Sequence, residues 1–458
     1  MVLRVGVAIY SPSIEYPDEV FESLEPAHHL AYGYGVVTWE WILGIRSWVY
    51  PAFLAGVMRA TDWIAPGSRG YLDAIIVVLC LISLTTVWFG FAWCRRASGT
   101  EAALLAAGTC AFWAPLVYFA PKAFNEVLAG NLLLPGLYLG VYGDSFKERN
   151  RLFLAGLFCG LAMSLRIQLA PAAGFAVLYF CRSGWRRKAP TVFAGFLLPI
   201  LIFGAVDAFT WSYPFQSFVG YFWINLVTGK SSSYGSQPWY WYVLCLAKYL
   251  GPALLLAFAG VRRSPLLGWI VLIIVGAHSV IGHKEPRFVY PVIPIVITLA
   301  ALGVVEIASF LSARGKLHWK SSGIVVFGLA FFALSSAFIA WRFPRWNYSS
   351  GPLIAMDRLS REASVCGVGL HRISWAWTGG YAHLHQNVPI ILVLTDAEVE
   401  KEALGFNALV VQGTLSHPIM GFKLEGCWNG VCLYRRPGCC IPSRQYNEVN
   451  YMLRHGYQ

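Results

Sequence analysis

The chain has 458 residues, of which 57% are hydrophobic and only 13% are charged. Soluble globular proteins carry about 25% charged residues, so this composition excludes an ordinary soluble globule and indicates a polytopic α-helical membrane protein. The net charge of +12 would suggest nucleic acid in a soluble chain. Here Lys and Arg lie mainly in short loops between apolar runs and in the tail, so we expect no nucleic-acid partner.

The first residues, 1–14, are apolar but too few to cross a hydrocarbon core, which needs about 20 residues. A signal peptide with a small-residue cleavage site is not visible in this stretch. Two interpretations stay open, namely a short, tilted first helix or a true start upstream of Met1.

Apolar runs after residue 70 predict about ten membrane crossings, or about eleven if the N-terminus also crosses. The runs lie at 71–94, 102–120, 127–142, 152–181 (a broken pair), 189–206, 240–260, 265–281, 288–311 and 321–341. In the broken pair, two half-length helices are expected to meet near Arg166 and Gln168, where non-helical backbone requires a cavity or protein around it. The alternative is one long helix with a snorkelling Arg166.

Basic residues in the connectors all fall on one side of this predicted topology. They are Arg95, Arg96, Lys147, Arg149, Arg151, Arg182, Arg186, Arg187, Lys188, Arg262, Arg263, Arg314, Lys316 and Lys320. By the positive-inside rule this side is cytosolic. The opposite face then carries the outward loops 15–70, 207–239 and 282–288, the stretch 122–126 and the tail.

Residues 1–341 therefore form the predicted membrane domain, and residues 342–458 change character and predict a small soluble α/β domain. Short apolar runs there lie at 365–370, 389–394, 408–412 and 430–435. Thr395 and Asp396 with Glu398 have the cap of a helix that runs to Gly405. The tail cysteines are Cys366, Cys427, Cys432, Cys439 and Cys440. They permit one or two disulfides with one thiol left over, and not a bond between the adjacent pair.

An acidic turn, Pro17-Asp18-Glu19, follows the first apolar segment. Pro17 restricts the turn that presents Asp18 or Glu19 outward. An aspartate carboxyl is ionised at neutral pH and is able to accept a proton from a hydroxyl. One carboxylate suffices when the leaving group is a phosphate, which departs without a proton, whereas glycosidases need two carboxyl groups. The alternative is that both acids merely solvate a loop end.

A second charged cluster, residues 283–288, lies between two long apolar runs, where charges are costly and usually functional. His283, Lys284 and Arg287 offer a switchable donor, an ammonium and a guanidinium fork, which suit a phosphate. Glu285 either orients one of these bases or binds sugar hydroxyls. The alternative is a juxtamembrane basic patch that meets anionic lipid head groups.

These segments resemble the mannosyltransferases that use dolichyl-phosphate mannose, including those of asparagine-linked-glycan and GPI-anchor assembly. The matching motifs are HKEPRF at 283–288, which continues into VYP, PDE at 17–19, TWEW at 38–41 and YGSQPWYWY at 234–242. The resemblance covers about residues 10–300. It is strongest to the third mannosyltransferases of GPI-anchor assembly.

The resemblance implies a GT-C fold and an inverting transfer of mannose or another hexose. The donor would be a dolichyl- or polyprenyl-phosphate sugar and the acceptor a lipid-linked glycan, without a metal or other cofactor. Asp18, beside Glu19, would be the base, and His283, Lys284 and Arg287 would hold the donor phosphate. The expected location is the endoplasmic reticulum membrane, or the inner membrane of a bacterium, with the site on the lumenal or periplasmic face.

Two departures from the family pattern concern the acceptor. Gln237 stands where relatives usually have His, and 122–125 replaces an Arg-containing loop. The short N-terminus and the α/β tail also differ from the eukaryotic GPI enzymes. A bacterial relative that acts on an envelope glycan therefore stays open.

Further candidate substrate-binding residues share motif membership or an outward position. They are Trp39, Glu40, Arg46, Lys122, Asn125, Arg166, Asp207, Tyr234, Gln237, Trp239 and Glu285. Three alternatives stay open: an interfacial belt for the tryptophans, a structural ion pair of Glu40 with Arg46, and a helix cap for Asp207.

Rival functions are a transporter or flippase of lipid-linked glycans and a non-catalytic scaffold. Transporters tend to show internal repeats and mid-membrane charges. Here most ionisable residues collect at one surface, and a scaffold would leave both charged loops unexplained, so we favour the transferase.

Overall fold

The computed structural model describes residues 1–66, 70–142, 146–314, 321–343, 345–419, 421–441 and 447–455. Two compact units result, which we call the helical unit (Met1–Gly6 with Ile76–Phe343) and the sheet unit (Val7–Ile75 with Pro344–Gln458). The predicted division at residue 341 differs from this one, because residues 7–75 group with the tail. The predicted connector residues Lys316 and Lys320 lie outside the described residues.

The α-helices are α1 Val2–Tyr10, α2 Glu25–Tyr32, α3 Trp39–Ile42, α4 Val49–Ile64, α5 Tyr71–Ser98, α6 Thr100–Phe112, α7 Ala114–Phe119, α8 Asn125–Val141, α9 Glu148–Leu165, α10 Ala170–Cys181, α11 Trp185–Thr210, α12 Gln216–Phe222, α13 Trp241–Leu250, α14 Pro252–Gly260, α15 Pro265–Val280, α16 Val292–Ala313, α17 Ser321–Arg342, α18 Ser350–Ser360, α19 Gly380–Leu384, α20 Asp396–Glu402 and α21 Val449–Arg454. The π-helices are Val20–Leu24 and Trp223–Val227, and the 3-10 helices are Ile167–Leu169, Lys230–Tyr234, Pro286–Val289 and Trp375–Trp377. The strands are β1 Val368–His371, β2 Ile390–Val393, β3 Ala408–Gln412, β4 Lys423–Trp428 and β5 Val431–Arg435.

Within the described ranges, four helices are long and apolar enough to cross a membrane, namely α5, α11, α16 and residues Ser322–Arg342 of α17. A fifth candidate is α13 with α14, which are bent by 99° at their junction. Shorter apolar helices lie at Thr100–Phe112, Ile167–Cys181 and Pro265–Val280. The predicted class, a polytopic helical membrane protein, is confirmed. The count of about ten or eleven crossings and their sidedness stay predictions.

The predicted helix break near Arg166 is present. Helix α9 ends at Leu165, Arg166 has extended backbone (φ −142°, ψ 95°), and the 3-10 turn Ile167–Leu169 leads into α10. The Arg166 side chain is only 4% exposed, so it does not snorkel to the surface. The interpretation as two shorter helices is therefore confirmed.

Glycines let two pairs of helices approach closely in the helical unit. A Cβ added at Gly156 of α9 would lie 2.1 Å from the carbonyl oxygen of Val192 in α11. One added at Gly260 of α14 would lie 1.9 Å from the carbonyl oxygen of Leu299 in α16. Such contacts between small residues and backbone hold membrane helices together where hydrophobic burial does not.

In the described part of the sheet unit, a five-stranded sheet has the order β2-β1-β3-β5-β4. Strand β1 is parallel to β2 and β3, and β5 is antiparallel to β3 and β4. Ala408 and Val410 face one apolar core, while Leu409 and Val411 face the other, as the two-residue period of a strand requires. The predicted α/β domain is confirmed.

The predicted helix cap and cysteine chemistry are both found in the tail. Thr395 and Glu398 form a reciprocal capping box at the start of α20. Disulfides join Cys366 to Cys440 and Cys427 to Cys432. Among the described tail cysteines, the exposed Cys439 keeps its thiol. The expectation of one or two disulfides with one thiol left over is confirmed.

Candidate active site

The basic cluster of the helical unit begins with a paired histidine. Nε2 of His283 lies 3.0 Å from Oε1 of Glu285, and its Nδ1 lies 3.1 Å from the carbonyl oxygen of Gly235. Because both ring nitrogens face acceptors, the protonated imidazolium is favoured. The hydrogen bond to Glu285 accordingly raises the pKa of His283 above its ordinary value.

A chain of alternating charges continues inward from this histidine. Nε of Arg287 lies 2.5 Å from Oε2 of Glu285, and its Nη1 lies 3.4 Å from Oε1 of Glu126. The same Glu126 oxygen lies 3.2 Å from Nη2 of Arg166. Glu126 was not among the site residues predicted from the sequence, and its one signal was its position beside the candidate loop 122–125. The structure thus brings His283, Glu285, Arg287 and Arg166 together.

Aromatic rings flank both guanidiniums of the cluster. Cζ of Arg166 lies 4.5 Å from the ring centroid of Phe288, and Cζ of Arg287 lies 5.0 Å from the same ring. Arg287 also lies 4.8 Å from the ring centroid of Phe124. Cation–π contacts of this kind attract a guanidinium to the ring face, so they restrict where the two arginines point.

Lys284 differs from the other basic residues because its ammonium contacts backbone. Nζ donates to the carbonyl oxygens of Ile281, of Gln237 at 3.2 Å and of Gly282 at 3.5 Å. Burial lowers the pKa of Lys284. In this structure Lys284 fastens its loop, and its role as a phosphate ligand stays a prediction.

The loop 229–240 lies beside the cluster and contains three candidate residues. The backbone N–H of Gln237 donates to the carbonyl oxygen of Gly282 at 2.9 Å. The ring of Tyr234, which is 55% exposed, lies 6.0 Å from the ring of His283. Trp239 is 73% exposed. The backbone of the loop is thus anchored at the cluster, while its aromatic side chains reach outward.

Three other candidates of the helical unit have structural contacts. Lys122 is buried, with Nζ 5.3 Å from the ring centroid of Tyr118. Asn125 is the first residue of α8, so it starts the helix that carries the buried glutamate. Oδ2 of Asp207 accepts from the backbone N–H of Ser217 at 2.8 Å and from its hydroxyl at 2.6 Å. Asp207 therefore accepts hydrogen bonds in the first turn of α12, as the helix-cap interpretation predicts.

The acidic turn of the sheet unit separates its two acids. Asp18 is half-buried and Glu19 is buried, just before the π-helix Val20–Leu24. The Glu19 carboxylate accepts the backbone N–H of Glu15 at 3.3 Å, which stabilises the turn. The Glu19 carboxylate therefore has a structural contact in this turn, and the role of either acid as the base stays a prediction.

Glu40 of the TWEW motif belongs to an ion-pair cluster of the sheet unit. Arg46 pairs with Glu40 at 2.7 Å and also with Glu22. Trp39, at the start of α3, is half-buried. The ion-pair interpretation of Glu40 with Arg46 is confirmed as a contact, and Glu22 is a partner that the sequence did not reveal.

Glu25 links residues 7–75 to the tail within the sheet unit. Its buried carboxylate accepts backbone N–H groups of Val36 at 2.7 Å, Tyr381 at 3.0 Å and Ala382 at 2.7 Å. Burial raises the pKa of Glu25 to about 7. One side chain thus fastens residues of the first outward segment to α19, and it was not among the predicted site residues.

Comparison with solved structures identifies the fold. The crystal structure of ArnT from Cupriavidus metallidurans bound to undecaprenyl phosphate is similar with a TM-score of 0.59. The alignment covers 96% of this chain and 99% of that chain at 12% sequence identity. ArnT has the GT-C fold, so the fold that the resemblance implied is confirmed.

Comparison with known sequences identifies the family. GPI mannosyltransferase 3 of Yarrowia lipolytica is 28% identical, over 84% of this chain and 74% of its own length. GPI mannosyltransferase 3 of Drosophila melanogaster is 26% identical, over 88% of this chain and 72% of its own length. Residues 1–366 match the model of the Alg9-like mannosyltransferase family.

These matches are to enzymes and give no support to a transporter. The apolar helices make the chain an integral membrane protein, and the predicted glycosyltransferase activity is confirmed by the family that the match covers. The charged helical cluster, the GT-C fold and the match over most of the chain agree. The chain belongs to the Alg9-like mannosyltransferase family.

Proposed function

We propose that this enzyme transfers mannose from a prenyl-phosphate mannose to a GPI precursor and forms an α linkage. The similarity to two proteins named GPI mannosyltransferase 3 supports this acceptor. The motif at 283–288 supports the lipid-phosphate donor. The observation that carries the proposal is the buried charge network of the helical unit, since it joins two guanidiniums and an imidazole.

The network suits the charge that develops on the leaving group. As the bond between the anomeric carbon and the phosphate oxygen breaks, its electron pair stays on the phosphate. His283 when protonated, Arg287 and Arg166 carry three positive charges against the two carboxylates of Glu126 and Glu285. This excess of positive charge stabilises the prenyl phosphate, and guanidiniums match phosphate oxygens well.

Asp18 acts as the general base in the proposed reaction. It accepts the proton of the acceptor hydroxyl while the hydroxyl oxygen bonds to the anomeric carbon. The prenyl phosphate leaves without taking a proton, so atoms and charges balance with one carboxylate. The proposed reaction needs no cofactor besides the donor lipid.

We propose that the enzyme works at the non-cytosolic face of the endoplasmic reticulum membrane. The basic connectors support this orientation by the positive-inside rule. The disulfides Cys366–Cys440 and Cys427–Cys432 fit an oxidising compartment. The similarity to GPI mannosyltransferase 3 of two eukaryotes supports a location in the endoplasmic reticulum.

The proposal is tested with purified enzyme in detergent and a GPI precursor that carries two mannoses. Prenyl-phosphate mannose, prenyl-phosphate glucose and GDP-mannose are compared as donors. Mass spectrometry is expected to detect one added hexose with prenyl-phosphate mannose only, and an α-mannosidase is expected to remove it. Transfer from GDP-mannose would overturn the proposed lipid-phosphate donor. Transfer to a bacterial envelope glycolipid and not to the GPI precursor would overturn the proposed acceptor.

A further inference from the structure

Glu126 lies where three elements of the helical unit meet. It is the second residue of α8, beside the 3-10 turn that carries Arg287 and the helix break that carries Arg166. Its Oε1 lies 3.4 Å from Nη1 of Arg287 and 3.2 Å from Nη2 of Arg166. One carboxylate oxygen thus joins arginines that are far apart in the sequence.

The burial of these three groups makes the carboxylate important. Glu126 is fully buried, and Arg166 and Arg287 are 4% and 2% exposed. Two buried guanidiniums around one point repel each other, and an uncompensated buried charge is strongly unfavourable. The negative charge of Glu126 offsets this repulsion, so that both guanidiniums lie close to one point.

Phe288 adds an orientation to this charge compensation. Both guanidiniums lie within 5.0 Å of its ring centroid, so ring and carboxylate restrict them from two sides. Arginine binds phosphate best when its planar fork is already oriented, because little side-chain entropy is then lost. The arrangement is therefore suited to hold two guanidiniums ready for one phosphate.

We propose that Glu126 is the positioning residue of the donor-phosphate site, and that through it Arg166 becomes a second guanidinium of that site. Glu126 acts through Arg287 and Arg166 and does not touch the donor. The inference rests on the proposed function, because the ligand of the site is a prenyl phosphate or its sugar ester. It assigns a task to a residue outside the recognised motifs.

A purely structural ion pair makes a different prediction. If Glu126 only tied α8 to its neighbours, its loss would reduce the amount of active enzyme. The turnover number would then fall, while the KM values for donor and acceptor would stay the same. A positioning role instead raises the KM for the donor and leaves the KM for the acceptor unchanged.

The test uses full-length Glu126→Gln in detergent, with Glu306→Gln as the matched control. Glu306 pairs with Arg263 at 2.6 Å at a partly exposed site. We expect Glu126→Gln to raise the donor KM and the Kd for dolichyl phosphate about tenfold or more, with the acceptor KM unchanged and no effect in the control. A fall in turnover number alone overturns the inference.

Two further variants keep the test decisive. Glu126→Asp retains the negative charge on a shorter side chain. We expect its donor KM to lie between those of the native enzyme and Glu126→Gln. A native donor KM together with a reduced yield of this variant overturns the inference. Arg287→Ala separates a failure of the positioning role from a failure of the proposed donor site. If it weakens dolichyl phosphate binding and Glu126→Gln does not, only the positioning role fails. If neither variant weakens binding, the proposed donor site itself fails.

Discussion

Nζ of Lys284 donates to the carbonyl oxygen of Gln237 at 3.2 Å, so the lysine of the basic motif fastens two loops of the helical unit to each other. Arg287 in the same motif contacts carboxylates instead. The two basic residues therefore have different tasks in this structure, and their substitution is expected to have different effects.

Replacing Arg287 by alanine is expected to weaken use of the lipid donor. The change removes a charged hydrogen-bond donor, which typically contributes about 1.5–3 kcal/mol. The donor kcat/KM should therefore fall roughly tenfold to a hundredfold, measured with prenyl-phosphate mannose at saturating acceptor. Native donor kinetics in Arg287→Ala would show that this guanidinium does not hold the phosphate.

Replacing Lys284 by methionine is expected to loosen the loop 229–240 more than it weakens donor binding. The variant loses the bonds to the carbonyl oxygens of Gln237 and Gly282, while the guanidiniums remain. Limited proteolysis should cut this loop faster, and the donor KM should rise by less than in Arg287→Ala. An equal loss of donor affinity with unchanged proteolysis would instead assign Lys284 to the phosphate.

Replacing Asp18 by asparagine is expected to remove the base and leave the donor site intact. General-base catalysis typically contributes about 100-fold or more, so the turnover number should fall by at least that factor with the donor KM unchanged. The control is Asp357→Asn, which removes an exposed ion pair with Arg361 in the same unit. Native turnover in Asp18→Asn would eliminate Asp18 as the base.

Donor affinity is expected to depend on the protonation of His283. Its pKa is raised by Glu285, so the favourable charge is fully present below the ordinary value of about 6.5 and is lost as the pH rises through the raised value. The donor KM should increase across that window in the native enzyme. The phosphodiester of the donor does not titrate in this pH range, so the change in donor KM reflects the titration of a protein group.

Two variants check the assignment of this pH dependence. His283→Gln should lose the increase in donor KM, whereas His417→Gln, which removes an exposed pair with Glu400, should keep it. The same slope in native enzyme and His283→Gln would attribute the effect to another group.

The two disulfides are expected to contribute unequally to stability. Cys366 and Cys440 are 74 residues apart, and Cys427 and Cys432 are 5 apart. Chain entropy then gives about 4 kcal/mol for the long loop and about 2 kcal/mol for the short one. Thermal unfolding of Cys366→Ser/Cys440→Ser should therefore occur at a lower temperature than that of Cys427→Ser/Cys432→Ser. The reverse order would contradict this ranking.

Local sequence patterns predicted much of the fold. A charge in the middle of a long apolar run predicted the break at Arg166, and Thr395 followed by Glu398 predicted a capped helix. Each signal acts through neighbours in sequence, so a single chain reveals it. Strand β4 was missed because its residues are mostly exposed and form no apolar run.

Contacts between distant segments could not be predicted. Tyr381, which donates to Glu25, lies 356 residues further along the chain, so nothing in the acidic segment reveals its partner. Glu126 was not among the predicted site residues, although its carboxylate lies between two arginines. Lys284 was predicted to hold the donor phosphate, but its ammonium contacts backbone carbonyl oxygens. No sequence pattern indicates such contacts. Tertiary structure decides such pairings.

The anchoring of the loop 229–240 uses backbone groups of the loop itself. The carbonyl oxygen of Gly235 faces His283, and the N–H and carbonyl of Gln237 contact Gly282 and Lys284. A new side chain at position 237 leaves these bonds intact. Evolution can therefore change the side chain at position 237 without changing how this loop is attached to the charged cluster.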